Sequence, residues 1–177
     1  VHGIHKQSDN AEGMSRIKSN LLAAFVSFLY ACFLLPVLYA LRADHVSNVN
    51  ERLYIRLTEC AGLMMCYFGL LLETVADHQK YIVKRHFGAA YDETKFVGPT
   101  GGTYRICRHP NYLGEVLFWM GVYVTSIFSF GTNTIAWVFS TIGLWSIVSI
   151  MLGSTVRLEQ KHQEKYGNQE KFQAWHK

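Results

Sequence analysis

The chain has 177 residues and a formal net charge of +4, with half of its residues hydrophobic and 17% charged. The apolar residues cluster in membrane-length runs, which excludes a soluble globular domain and predicts an all-α integral membrane protein. The basic surplus requires no nucleic-acid partner, since cations routinely flank membrane spans, and no nucleic-acid motif is visible.

In chain order, residues 1–18 form a polar N-terminal segment, and residues 19–177 read as a single helical membrane domain. The first 20 residues mix His, Lys, Asp and Glu, show no signal-peptide core, and begin at Val1 rather than Met. A processed N-terminus, such as one left by removal of an organelle transit peptide, is the expectation. Ser19 to Leu41 is 23 residues without a charge, against the roughly 20 that cross a bilayer as a helix. A second apolar pattern runs from Leu53 to Val75, with Arg56, Glu59 and Glu73 confined to its ends. Glu73, Asp77, Lys80 and Lys84 follow at spacings of 4, 3 and 4, so they line one face of a helix leaving the membrane. That stripe has two readings. It is a solvated face held by its own ion pairs, or it meets a polar or phosphate-bearing ligand.

Phe96 to Tyr104 is rich in turn residues, and Gly101 and Gly102 permit positive φ and close approach of a ligand. No βαβ pattern accompanies them, which excludes a Rossmann domain. Arg108-His109-Pro110-Asn111-Tyr112-Leu113-Gly114-Glu115 comes next, at the mouth of 41 residues, Val116 to Val156, without Asp, Glu, Lys or Arg. Pro110 suits the first turn of a helix, which puts Asn111 and Glu115 on one face. Ionisable groups at a bilayer edge point to a functional site, while the plainer reading has His109 and Asn111 capping the helix and Arg108 anchoring it. The 41-residue run is twice a spanning length, and Gly131-Thr132-Asn133 near its middle is turn chemistry, so a helical hairpin is expected. Beyond it, Leu158 to His162 reads as a short amphipathic helix, followed by a break at Gly167 and a second helical turn on the interface.

Four spans place 14 of the 17 basic residues on one side with both chain ends, leaving Arg42, Arg52 and Arg56 opposite. This is the positive-inside pattern, and it assigns the basic side to the cytosol or its equivalent in an endoplasmic-reticulum or organelle membrane. Cys32, Cys60, Cys66 and Cys107 lack paired spacing, and no His-x3-His or Glu-x-x-His cluster falls inside a span. Neither a metal site nor a disulfide framework is expected.

Glu73-x3-Asp77-x-Gln79-Lys80, Gly102-x-Tyr104-Arg105, and Arg108-His109-Pro110-Asn111-Tyr112-x-Gly114-Glu115 with Trp119 resemble the DUF1295 family. That family is similar to the C-terminal domain of the steroid 5α-reductases and, more distantly, to isoprenylcysteine carboxyl and phospholipid methyltransferases. The resemblance spans about Glu73 to Phe172. It implies a pocket at the cytosolic helix ends that takes NADPH in the reductase branch and S-adenosylmethionine in the other. The Asn111…Glu115 pair and the Asp77/Lys84 pair are similar to the reductase pattern. On that carry-over Asp77, Lys84, Arg108, His109 and Asn111 hold NADPH, and Glu115 and Tyr112 are catalytic in reducing a conjugated lipid. The alternatives are S-adenosylmethionine-dependent methylation of a lipid or isoprenylcysteine, and a non-catalytic subunit of a larger membrane assembly. The chain departs from the reductases in having no helices before Ser19 to complete a large lipid pocket, and in ending at Lys177 where relatives continue.

Overall fold

The structure, a computed structural model, describes residues 16–42, 49–87, 92 and 94–176. Most of the polar N-terminal segment, including Lys6, and Lys177 lie outside the described residues. Helices α1 (Arg16–Arg42), α2 (Val49–Phe87), α3 (Pro110–Phe130), α4 (Thr134–Tyr166) and α5 (Glu170–His176) follow one another, with a 3₁₀ turn at Gly102–Arg105. Four of the helices, over Lys18–Leu41, Arg52–His86, Pro110–Phe130 and Thr134–Tyr166, are long and apolar enough to cross a membrane. The expected all-helical membrane fold is therefore present. Large apolar side chains such as Phe25, Met64, Tyr67 and Trp145 point outward, as they do when the solvent is hydrocarbon.

α2 and α3 run antiparallel and make the closest helix pair, and glycine is the cause. Gly62 and Gly69 lie two turns apart on α2, and Gly114 and Gly121 lie two turns apart on α3. A Cβ on Gly69 would sit 2.5 Å from the carbonyl oxygen of Gly114, and one on Gly121 would sit 2.6 Å from that of Gly62. Without side chains at these four positions the two backbones touch, which is how membrane helices gain packing energy when burial from water contributes little. α1, α3 and α4 pack around Leu29, Phe33 and Ile147, flanked by Trp119, Leu144, Val148 and Met151.

The expected hairpin joins α3 to α4. Gly131 takes φ 49°, and the Asn133 side chain caps α4 by accepting from the Ala136 N–H at 3.2 Å. Phe130, 2% exposed, plugs this end among Tyr39, Tyr123 and Trp137. At the opposite end two helices outrun the membrane. α2 has 39 residues and α4 has 33, about 58 and 50 Å at the α-helical rise, against a hydrocarbon core of about 30 Å. Leu158 to His162 is therefore not a separate short helix: α4 runs unbroken to Tyr166 before the break at Gly167. Nothing within it stops the helix, since the stretch holds neither Pro nor Gly.

Candidate functional site

The projecting ends of α2 and α4, the start of α3, the loop after Phe96 and α5 enclose a cavity of about 280 Å³. Two anchors shape the loop. Gln79 of α2 accepts from the Thr103 N–H at 3.1 Å and from the Thr103 hydroxyl at 2.8 Å. Gly102 beside it has φ 62°, and a Cβ there would lie 2.4 Å from the Gln79 amide nitrogen. The close approach expected of the glycine pair is thus real at Gly102, but it is made to Gln79. Gly101 has φ −112° and open space around it. At the other end Gln169 accepts from the Phe96 N–H at 2.7 Å and donates to the Thr94 carbonyl at 2.7 Å. Phe96 is thereby seated among Tyr166, Phe172 and Trp175. α5 does more than lie on an interface: its Phe172, 1% exposed, packs into this aromatic cluster, and its Trp175 lines the cavity.

α3 starts at Pro110, as its fixed φ and missing N–H favour. His109 occupies the N-cap position, yet its side chain makes no cap hydrogen bond. The capping reading therefore fails for His109, whose ring turns to Glu159 of α4. His109 Nε2 lies 2.6 Å from Glu159 Oε1, and Arg108 donates to Oε2 at 2.9 Å. Arg108 also donates to His176 Nδ1 of α5 at 2.7 Å, and because a guanidinium cannot accept, that nitrogen is the acceptor. Tyr112 stacks on the His109 ring at 5.6 Å between centroids. One carboxylate thus gathers α3, α4 and α5.

Lys84, Arg108, His109, Asn111 and Tyr112, five of the residues singled out in the sequence, line the cavity together with Lys80. Asp77 and Glu115 do not line it. Both lie close enough for their charges to act on Glu73, whose backbone packs against Gly114. They form an acidic group between α2 and α3, beside the cavity. Within the stripe Glu73, Asp77, Lys80 and Lys84, no ion pair forms among the described residues. The stripe therefore lacks ion pairs of its own; Asp77 and Lys84 are exposed, and Lys80 and Lys84 line the cavity.

Three residues lie in stretches noted in the sequence but were given no role in the site there. Glu159 and His162 are spaced i, i+3 on the projecting end of α4, a Glu-x-x-His pattern just beyond the span. His162 lines the cavity, and its Nδ1 is buried without a hydrogen-bond partner. The third is Tyr104, only 7% exposed, whose hydroxyl is buried, lines the cavity and has no partner. Burial, reinforced by the Asp77 charge and by Tyr112, pushes its phenol up to about 12. Among the described residues no cluster of His, Cys, Asp or Glu is fit to hold a metal.

Fold and site together define a polytopic helical membrane protein with a cationic, aromatic-walled pocket at one end of its bundle. The family model described as protein of unknown function (DUF1295) matches residues 8–177, and the chain belongs to that family. No curated protein and no solved structure matches it.

Proposed function

We propose that the protein is an NADPH-dependent reductase of a conjugated, membrane-resident lipid, working at the cytosol-equivalent face of an organelle or endoplasmic-reticulum membrane. One observation carries the choice of cofactor. The formally charged side chains lining the cavity, Lys80, Lys84 and Arg108, are all cations, and among the described residues no carboxylate lines it. Such a site attracts the phosphates of a dinucleotide, for which lysine serves as a compact point charge and arginine as a bidentate donor. The sulfonium of S-adenosylmethionine would meet like charge there, so the methyl-transfer alternative fits less well. Phe96, Tyr166 and Trp175 offer aromatic faces to a nucleobase.

A reduced nicotinamide, when bound, supplies a hydride, which a conjugated carbonyl compound accepts at its β-carbon. The chain's own task is the proton. Tyr104 lines the site and stays protonated across the physiological range, and its buried O–H has no competing hydrogen-bond partner. In this reading it donates to the α-carbon of the substrate and is reprotonated from water, so that one hydride and one proton saturate one double bond. Lys80 and Lys84 hold phosphate, and Asn111 and Tyr112 orient the reacting ring. Glu115 lies outside the cavity and acts on turnover rather than on cofactor affinity.

Steady-state reduction of a long-chain enone by protein in liposomes, followed by loss of NADPH absorbance, tests the assignment. Lys84→Ala is expected to raise the KM for NADPH with little change in kcat. Tyr104→Phe is expected to lower kcat by about 10²-fold or more, the usual scale of general-acid catalysis, while leaving NADPH binding intact. If Tyr104→Phe retains full turnover, the proton donor is misassigned. If the wild type turns over no enone and binds no NADPH, the reductase reading falls.

A further inference from the structure

A second opening of about 320 Å³ lies on the other side of the Arg108–His109–Tyr112 wall, between α3 and α4. We infer that this cleft is the seat of the substrate's hydrocarbon tail: a single lipid chain lies along α3 and α4 and presents a carbonyl head to the wall that the two cavities share. The inference deepens the reductase reading and rests on it for the reaction, but its geometry stands separately.

Three observations carry it. First, the flanks of the cleft are Val116, Val148, Met151 and Leu152, all from the uncharged 41-residue stretch. Its open side therefore faces hydrocarbon, where a lipid chain rather than water is the natural occupant. Second, the polar end is the cluster of Arg108, His109 and Glu159, which carries both signs of charge and hydrogen-bonding groups. That polarity matches an amphiphile lying with its tail in the membrane and a neutral, hydrogen-bonding head at the boundary. Third, Arg108, His109 and Tyr112 line both openings. A head group at the end of the cleft and a cofactor in the cationic cavity would thus be separated by one layer of side chains. The volume is at the small end of the roughly 300–1,000 Å³ of ligand pockets, suited to one chain rather than to a two-tailed phospholipid.

Photolabelling tests this in phosphatidylcholine nanodiscs, with a long-chain ketone carrying a diazirine on its tail and unlabelled long-chain enone as competitor. Met64 and Phe68 on the outward face of α2 serve as the internal control for bulk lipid contact, being 72% and 59% exposed. Labelling at Val116, Met151 and Leu152 is expected to fall several-fold under excess competitor while labelling at Met64 and Phe68 persists. Val148→Trp, which fills the cleft, is expected to abolish the competable label and leave NADPH affinity unchanged. Should that variant misfold, Leu152→Trp at a 63% exposed position replaces it. Parallel loss of label at both sets of positions, or loss at neither, means that the cleft merely touches bulk lipid and overturns the inference. Competable labelling in protein that binds no NADPH would retain the cleft and overturn the cofactor reading alone.

Discussion

Glu159 holds His109 through one oxygen and Arg108 through the other, with Arg108 reaching on to His176 of the last helix. Replacing one of its oxygens by an amide NH2 removes the charge and leaves one of these groups without its acceptor, a loss of about 1.5–3 kcal/mol for a bond to a charged group. Glu159→Gln is accordingly expected to weaken NADPH binding about tenfold in a fluorescence titration, and unchanged affinity would mean that the motif is positioned by other contacts. Tyr104 gives a second residue-scale prediction with a definite sign. Its phenol ordinarily ionises at 10.0 and here is pushed up to about 12. Folding favours the neutral form, so this contribution to stability is complete below about pH 10 and disappears as the pH rises through about 12. The ultraviolet titration difference between wild type and Tyr104→Phe should show no phenolate until that alkaline range, and a normal titration would place the hydroxyl in water. Much of the residue-level site was legible, because Pro110 marks a helix start and the charges of α2 keep helical spacing. Glu159 was not, since its partners are 50 and 51 residues distant and nothing local marks a carboxylate as shared.

The long runs without charge fixed where the spans lie, and Gly131 to Asn133 fixed the hairpin, because both signals are local in sequence. The pairing of α2 with α3 was hidden. Gly62, Gly69, Gly114 and Gly121 become a ladder only once the two helices are set antiparallel in one register. Gly114 shows what that ladder does for the site. A Cβ there would lie 2.6 Å from the Gly69 carbonyl oxygen and 2.7 Å from the Glu73 nitrogen. Gly114→Ala is therefore expected to destabilise the helix pair by about 1–3 kcal/mol, the usual penalty of overpacking. Because Gly114 lies within the motif, two residues after the cavity-lining Tyr112, the same substitution should also lower cofactor affinity. Gly153, with nothing within 4 Å, is the matched control, and Gly153→Ala should leave both properties unchanged. Thermal unfolding in detergent with and without NADPH measures the two effects together.

Across the whole molecule, crossing of the membrane by all four candidate spans would return both ends of the described chain to one side, that of the cavity. Cysteine-accessibility mapping should report Lys18 and Lys171, each replaced by Cys, on the same face as the cavity, with Arg52→Cys opposite. Labelling of Lys18 and Lys171 from different sides would break the four-span arrangement. The central claim is that this end of the bundle is an anion-selective nucleotide site, and direct binding tests it. NADPH and S-adenosylmethionine are titrated separately into purified protein in nanodiscs, for the wild type and for the Lys80→Ala/Lys84→Ala double variant. The account predicts saturable NADPH binding that weakens at least tenfold in the double variant and with added salt, and far weaker binding of S-adenosylmethionine. Preference for S-adenosylmethionine, or NADPH binding indifferent to both lysines, would contradict it.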